Sequence, residues 1–258
     1  MREKSYIFTI DDNIRFLKEA ERDDLPSLFD HPYMKMLLEL HNLFGVKIQL
    51  NLFFEMEGFD LTMVSDRYRD EFREASSWLK LSFHSRLENV FPYIDSESDE
   101  VRRDAAMTNA EILRFAGEDS LARTTTVHYC AMTEGGVEEL KKLGTRGLLG
   151  LYELPPNYRT SYRNTRDEVE KLCAGEIVFS HGVAYSRVDV ILNLHPLQKI
   201  EELLLPYLSR DKVNIMIHEQ YFYPDYKAYQ KDFREKLSLA FSILSRAGYK
   251  SKFFEELI

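Results

Sequence analysis

Short β-rich runs alternate with helical runs along almost the whole chain, and this alternation restricts the fold more than any other feature of the sequence. Residues 6–10 form a β-rich run that stops at Asp11 and Asp12, and residues 33–44 then repeat apolar positions at helical spacing before Gly45. Strands separated by helices predict a mostly parallel sheet, because parallel strands need a crossover connection that is usually a helix.

The same alternation continues to the end of the chain. We predict further strands at residues 46–54, 78–83, 124–127, 147–151, 176–180, 187–192 and 213–217. We predict further helices at residues 70–76, 100–115, 136–143, 197–208 and 229–247. Such a series without a glycine-rich nucleotide loop favours a barrel over a Rossmann sheet. The predicted fold class is therefore α/β, a single irregular (β/α) barrel of seven mostly parallel strands, with residues 1–258 as one domain.

One polar, turn-rich stretch at residues 155–167 is too long for a tight connection. It contains Arg159, Arg163 and Arg166. We predict that it passes over the mouth of the barrel and shapes access to a ligand.

Composition excludes several classes of function. The formal net charge of −9 argues against a nucleic-acid partner, because phosphate contacts need clustered lysine and arginine. No apolar run approaches the length of a membrane span, and the N-terminus shows no signal segment, so we expect a soluble cytoplasmic protein without a membrane partner. Cys130 and Cys173 lie too far apart for a disulfide framework or a spaced metal pair, which fits a reducing compartment.

Ionisable side chains follow four of the predicted strands directly. They are Asp11, Asp12, His84, His128 and His218. Because the carboxyl ends of parallel barrel strands meet on one face, we predict that these side chains share one cleft. Each has a simpler explanation, since an aspartate can cap the next helix and a lone histidine can be a hydrogen-bonded core residue. Their common position favours a site, in which Cys130 is an alternative nucleophile.

Two of these strand ends resemble motifs of the polysaccharide deacetylases, the NodB-like carbohydrate esterases. Residues 8–12, Phe-Thr-Ile-Asp-Asp, resemble the first motif of that family. Residues 83–88, Phe-His-Ser-Arg-Leu-Glu, look like the second motif, His-Ser/Thr-x-x-His, with Glu88 at the position of the second histidine.

Later segments are similar to the remaining motifs in placement. Residues 127–131 and the helix after them correspond to the third motif, Arg-Pro-Pro-Tyr-Gly, of which Tyr129 is retained. Residues 215–219 resemble the last motif, a strand ending in Leu-His, with His218 as its histidine. The fourth motif is not evident, and Asp189 is a candidate for its aspartate.

The resemblance implies a seven-stranded β/α barrel and a divalent metal. It implies Asp11 as general base, Asp12 and His84 as metal ligands, and His218 as general acid. Either Glu88 or His128 completes the ligand set, since a helical turn after His84 would bring a residue four positions later to the same ion. The ligand types suit zinc, and nickel, cobalt and manganese remain alternatives.

The predicted function is that of a divergent metal-dependent polysaccharide deacetylase-like hydrolase acting on an acylated (N-acetyl) carbohydrate. Tyr129 and Tyr221, near strand ends, are the predicted substrate-binding aromatics. One alternative is a non-catalytic carbohydrate-binding barrel with an incomplete metal set. Another is a metal-independent glycoside hydrolase with Glu153 or Glu219 as its acid.

Overall fold

The computed structural model describes residues 3–88 and 93–258 of the chain. The strands are β1 (Ser5–Asn13), β2 (Ile48–Phe53), β3 (Glu55–Met56), β4 (Phe59–Asp60), β5 (Leu79–Ser85), β6 (Thr124–Thr126), β7 (Gly147–Gly150), β8 (Val178–Ser180), β9 (Val183–Arg187), β10 (Val190–Ile191), β11 (Lys212–His218) and β12 (Lys250–Ser251). The α-helices are α1 (Arg15–Arg22), α2 (Pro32–Phe44), α3 (Arg69–Ala75), α4 (Ser98–Phe115), α5 (Glu134–Lys142), α6 (Arg166–Ala174), α7 (Ile200–Leu204) and α8 (Phe233–Arg246). No helix in this described part combines the length and the apolar character of a membrane span.

The parallel strands form two sheets. In the first sheet the order is β10-β11-β1-β2-β5, with every neighbouring pair parallel, and β12 also pairs with β1. In the second sheet β6, β7 and β9 are parallel, and β8 is added at the edge, antiparallel to β9. Strands β3 and β4 form a separate antiparallel pair.

The two sheets meet at two junctions, which together complete the barrel. At the first, the Ala122 N–H donates to the Leu81 carbonyl over 2.8 Å, and Leu81 forms a parallel bridge with Leu121. At the second, β9 and β10 are successive parts of one strand, of which β9 pairs with β7 and β10 with β11. With β9 and β10 counted as one strand, the described residues contain seven parallel barrel strands. The predicted irregular seven-stranded (β/α) barrel is confirmed.

Alternate side chains of each strand face opposite sides of the barrel wall. From β1, Phe8 and Ile10 pack outward into the apolar cluster that includes the core faces of α2 and α8. From the same strand, Ile7 clusters with Leu149 of β7 and Met216 of β11, on strands from both sheets. The helices therefore cover the outside of the barrel, while inward side chains of different strands meet around its axis.

Two helices lie where the sequence analysis predicted none. Helix α1 directly follows β1, and α6 begins inside the polar stretch at 155–167. Thr165 caps α6 in a capping box with Glu168, which is a sequence signal that the polar composition of the stretch concealed. The rest of that stretch packs on the second sheet, because the Tyr162 hydroxyl donates to the Leu149 carbonyl over 2.7 Å and is buried.

Three further predictions of local structure need correction. The final helix begins at Phe233 rather than at residue 229, after a series of turns. The helix expected at 197–208 contains only the five residues of α7, because Pro206 lacks an N–H and the flanking turns are 3-10. The strand expected at 176–180 is β8, which is antiparallel, and the parallel strand after it starts at Val183 instead of residue 187.

Candidate active site

Five predicted site residues lie together at the carboxyl ends of the barrel strands. Asp11 and Asp12 are among the last three residues of β1, and Asp11 is paired in register with His218 at the end of β11. His84 is the penultimate residue of β5, and His128 follows β6 by two residues. Parallel strand ends converge at this face, so residues far apart in sequence become neighbours.

Three of these side chains converge on a single point. The Asp12 Oδ1 atom lies 3.0 Å from His84 Nε2 and 3.3 Å from His128 Nδ1. The two imidazole nitrogens are 3.1 Å apart. For a tetrahedral zinc ion with bonds of about 2.0 Å, adjacent ligand atoms stand roughly 3.3 Å apart. The three side chains therefore have the spacing of one face of a metal site, and all three are buried.

Backbone carbonyls fix the protonation of both imidazole rings. His84 Nδ1 faces the Thr126 carbonyl, and His128 Nε2 lies 2.9 Å from the Glu88 carbonyl. A carbonyl only accepts hydrogen bonds, so each of these nitrogens carries a hydrogen. In the neutral rings the lone pairs then sit on His84 Nε2 and His128 Nδ1, the atoms that face each other and Asp12.

Asp12 is oriented in the same way. Its Oδ2 atom accepts a hydrogen bond of 2.7 Å from Gln220 Nε2, which leaves Oδ1 facing the two imidazoles. Three electron-pair acceptors thus point at one another, and only a proton or a cation between them satisfies all three. The sequence gives no signal for Gln220, because its role depends on contact between the segment after β11 and the end of β1.

The electrostatics of the three ligands are strongly coupled. Burial alone would raise the pKa of Asp12, but the adjacent His128 and His84 imidazoles and the charge of His218 hold that pKa well below its usual range. Burial would lower the pKa of His84, but the charges of Asp11 and Asp12 outweigh it and raise that pKa. Asp12 also has a φ of 62°, a left-handed conformation that is costly for a residue other than glycine and is often found at functional sites.

Asp11 stands beside this group without belonging to it. It is 2% exposed, and its Oδ1 accepts a hydrogen bond of 2.6 Å from Asn51 Nδ2. Burial raises the pKa of Asp11, while the charges of His84 and His218 and the hydrogen bond from Asn51 act in the opposite direction. A carboxylate of raised pKa next to a metal-type site has the properties of a general base.

His218 is held by the side-chain amide of Asn193. Its Nδ1 atom lies 2.9 Å from Oδ1 of Asn193, which follows β10 and is 5% exposed. Asp189, the candidate from the sequence, instead pairs with Arg210 over 3.0 Å and accepts the Asn214 N–H over 2.9 Å. Asp189 is therefore part of a structural ion pair. Asn193 is a polar residue after a strand end, the same signal that identified the other five.

Glu88 approaches the site through its main chain. Its carbonyl contacts His128, while its carboxylate lies outside the group of three converging ligands. Burial and the charge of Asp12 raise the pKa of the half-buried Glu88 side chain. Of the two candidates for the third ligand, the structure brings His128 to Asp12 and His84.

A cleft of about 530 Å³ opens beside Asp12. Its lining includes Phe53, Glu88, Gln220 and Tyr226. Tyr129 lies next to this region, with its ring 4.3 Å from that of His128 and 58% of its surface exposed. The stretch at 155–167 reaches the same point, because the Arg159 guanidinium donates to the Tyr129 carbonyl over 3.1 Å.

The predicted aromatic Tyr221 lies beside His218. Its ring centroid is 6.2 Å from that of His218, and its edge meets the ring of Tyr226 at 5.2 Å. The two predicted substrate-binding tyrosines therefore stand beside His128 and His218, one next to the ligand group and one next to the candidate acid.

The two candidate acids of a glycoside hydrolase are placed elsewhere. Glu219 is 1% exposed, and its carboxylate accepts the N–H groups of Ile14, Arg15 and Phe16 over 2.8 to 3.1 Å. It thus caps the first turn of α1. Burial raises its pKa to about 7, against these donors and the Tyr223 hydroxyl. Glu153 is exposed and pairs through its main chain with Arg159.

Comparison with known proteins gives information about the fold. No protein-family model matches the sequence, and no curated protein matches it. Among solved structures, the chain is similar to the 4-alpha-glucanotransferase from Thermococcus litoralis, with a TM-score of 0.62 and 13% identity over 99% of this chain and 40% of that one. The chain thus spans two fifths of the length of that protein.

Two carbohydrate deacylases are similar over most of both chains. One is a family 4 acetyl xylan esterase from Clostridium thermocellum in complex with a cobalt ion, with a TM-score of 0.51 and 16% identity over 98% of this chain and 90% of that one. The other is a peptidoglycan N-acetylglucosamine deacetylase, with a TM-score of 0.52 and 11% identity over 98% of this chain and 87% of that one. At such identities the likeness establishes the fold alone, which this chain shares with these proteins.

Proposed function

We propose that the protein is a metal-dependent hydrolase that removes an acyl group from a carbohydrate, with an N-acetyl sugar as the expected substrate. The observation that carries the proposal is the convergence of two imidazole lone pairs and one carboxylate oxygen. Backbone carbonyls fix both rings in this orientation, so the arrangement is built into the fold, and a bound cation would satisfy all three acceptors.

Asp12, His84 and His128 would hold the ion. Two imidazoles and one carboxylate suit zinc, and nickel, cobalt and manganese also accept such ligands. The spacing of 3.0 to 3.3 Å between the ligand atoms supports this fit. When bound, the cation supplies Lewis acidity toward an acyl carbonyl and toward water.

Two residues outside the ligand set would move the protons. Asp11 would accept a proton from the attacking water as the new C–O bond forms. His218 would donate a proton to the departing amine nitrogen, or to the alcohol oxygen of an ester, as the acyl bond breaks. Asp11 and His218 face each other across the β1–β11 pairing, so the base and the acid lie on adjacent strands at the same end of the barrel.

The surroundings of the site fit a ring-shaped polar ligand. Tyr129 is largely exposed beside His128, and Tyr226 and Phe53 line the cleft at Asp12. Aromatic faces pack against the apolar faces of sugar rings, while nearby polar groups fix the orientation of a ligand. These features support a carbohydrate as the partner, and the two similar deacylases act on compounds of that class by their names.

Elemental analysis combined with an activity screen tests this proposal. The purified protein should contain close to one equivalent of a divalent transition metal per chain, or take it up at neutral pH. It should then release acetate from members of a panel of N-acetylated and O-acetylated sugars, and chelation should abolish the release. Protein that takes up no divalent ion would contradict the proposal and favour a non-catalytic carbohydrate-binding barrel.

The same experiment separates the glycoside hydrolase alternative. That reaction uses two carboxyl groups and no metal, so release of reducing sugar that survives chelation would support it. The position of Glu219 argues against it, because this carboxylate is buried on the N-terminus of α1.

A further inference from the structure

A chain of buried polar side chains runs through the barrel interior to Asp11. Gln49 and Asn51 are inward residues of β2, exposed by 2% and 0%, and Thr124 is the first residue of β6. Gln49 touches none of the candidate reacting groups. The order of contacts nevertheless determines which atom of Asn51 is presented to Asp11.

A main-chain carbonyl sets the orientation of the Gln49 side-chain amide. Gln49 Nε2 lies 2.8 Å from the Thr124 carbonyl, and the Thr124 hydroxyl donates to Gln49 Oε1 over 2.9 Å. Because a backbone carbonyl cannot donate a hydrogen bond, the nitrogen of Gln49 must face it. The direction of this amide is therefore fixed by the backbone of β6 and not by another ambiguous side chain.

The second N–H of the Gln49 side-chain amide fixes the orientation of the Asn51 amide. Gln49 Nε2 lies 2.8 Å from Asn51 Oδ1, and the Ser82 hydroxyl contacts the same atom. Since Gln49 presents a donor, Asn51 must present its oxygen there. Its nitrogen then faces the other way, toward Asp11 Oδ1 at 2.6 Å.

We infer that Gln49 is a positioning residue that prevents the Asn51 amide from turning over, so that Asn51 always presents an N–H group to Asp11 Oδ1. Asp11 thereby keeps a donor that holds its carboxylate in place. Without Gln49, the amide could rotate and present its oxygen to residue 11. Ser82 alone does not choose a direction, since a hydroxyl both donates and accepts. The inference rests on the proposed role of Asp11 only for its catalytic consequence.

Nuclear magnetic resonance of the full chain with asparagine-selective ¹⁵N labelling tests the orientation. Asp11→Asn provides a neutral side chain at position 11, so that the charge of the aspartate no longer helps to orient the Asn51 amide. In this variant the Asn51 amide protons should still give nuclear Overhauser effects to the β-protons of residue 11. Nuclear Overhauser effects from these amide protons to the β-protons of Ser82 would mean that the amide turns over even though Gln49 is present, and would overturn the inference.

The double variant Asp11→Asn with Gln49→Met removes the proposed restraint. Effects from the Asn51 amide protons to Ser82 should now appear, because the amide can turn. The matched control combines Asp11→Asn with Thr124→Val, which removes the hydroxyl but keeps the carbonyl, and it should retain the contacts to residue 11. Unchanged contacts in the Gln49→Met background would show that another group sets the orientation and would refute the inference.

Turnover of the single variants provides the catalytic test. Gln49→Met should lower kcat roughly ten-fold, the effect of one misdirected hydrogen bond, with KM and bound metal unchanged, and Thr124→Val should lower it less. Equal losses in both variants would indicate general loosening of the interior. If the wild-type protein deacetylates nothing, the proposed function fails while the orientation experiment still decides this inference.

Discussion

The Glu88 carbonyl oxygen lies 2.9 Å from Nε2 of His128, whereas the Glu88 carboxylate is outside the group of converging ligands. The segment after β5 therefore contacts the site through a backbone carbonyl. A histidine at the position of Glu88 would be a direct ligand by the resemblance, but here His128, which follows the next barrel strand, is the side chain that lies beside Asp12 and His84.

Metal affinity should distinguish the two residues. His128→Ala removes a proposed ligand and should weaken zinc binding by more than about 100-fold. Loss of a residue that only hydrogen-bonds to a ligand already lowers metal affinity by about 10- to 100-fold. Glu88→Gln keeps the backbone carbonyl and should change affinity by less than about ten-fold. Competition with a chromophoric chelator measures both. Stronger loss in Glu88→Gln than in His128→Ala would assign the third ligand to Glu88.

Exchange of the candidate base should separate catalysis from metal binding. Asp11→Asn preserves the shape of the side chain but cannot take a proton, so turnover should fall by roughly 10²- to 10⁴-fold. The bound metal should remain, as Asp11 is not among the converging ligands. His84→Ala should lose the metal and turnover together. If Asp11→Asn also lost the metal, Asp11 would be a ligand.

The partner of His218 should control the alkaline side of the pH–rate profile. Asn193→Asp keeps the acceptor for His218 Nδ1 and adds a negative charge, which favours the protonated imidazole. The alkaline limb of kcat should therefore move to higher pH. Asn193→Leu removes the acceptor and should lower kcat without that shift. A profile unchanged in both variants would exclude His218 as the general acid.

Removal of the Glu219 cap should lower the free energy of unfolding. Its carboxylate satisfies three N–H groups at the start of α1, and Glu219→Gln would direct part of an NH₂ group at these donors. We expect a loss of about 2–3 kcal/mol in the free energy of unfolding, measured with urea. Tyr223→Phe, which removes one hydrogen bond to the same carboxylate, should cost about 1 kcal/mol.

Lys212 should make stability depend on pH. The amine is buried in the barrel, hydrogen-bonded to the Ser186 hydroxyl, and burial lowers its pKa to about 8 from 10.5. Between these values the unfolded chain binds more protons, so the free energy of unfolding should rise with pH. Relative to Lys212→Met, the wild-type protein should gain about 1–2 kcal/mol between pH 7 and pH 9.5. A constant difference between the two proteins would mean that the folded state keeps this lysine charged.

Sequence patterns located the strand ends because each is marked by a polar residue directly after an apolar run. Asp11, His84 and His218 needed no more than this signal. Helix α1 was missed for a physical reason: Ile14 at its start offers no side-chain cap, and the capping carboxylate comes from Glu219, far away in the sequence. Local signals cannot report such a cap.

The choice of third ligand was also beyond the sequence. The spacing between His84 and Glu88 suggested one helical face, but residues 86–88 form a bend and a turn instead. The approach of His128 depends on how β6 lies against β5. Likewise, Gln49 and Asn51 share a face because side chains alternate along a strand, but only the three-dimensional structure shows that this face is interior and not solvent-exposed.

An ion held by His128 would also link β5 to β6, the two strands that meet at one junction between the sheets. Past the Ala122 N–H bond to Leu81, the two strands are linked by side-chain contacts such as that of the Thr125 hydroxyl with the Phe83 carbonyl. An ion shared by His84 and His128 would add a cross-link here, closing a loop between residues 44 positions apart, much as a disulfide does. A ligand pair within one loop would add no such cross-link. If His128 holds the ion as proposed, the contact between the two sheets would depend partly on the cofactor, so that scarcity of the ion would impair folding as well as catalysis.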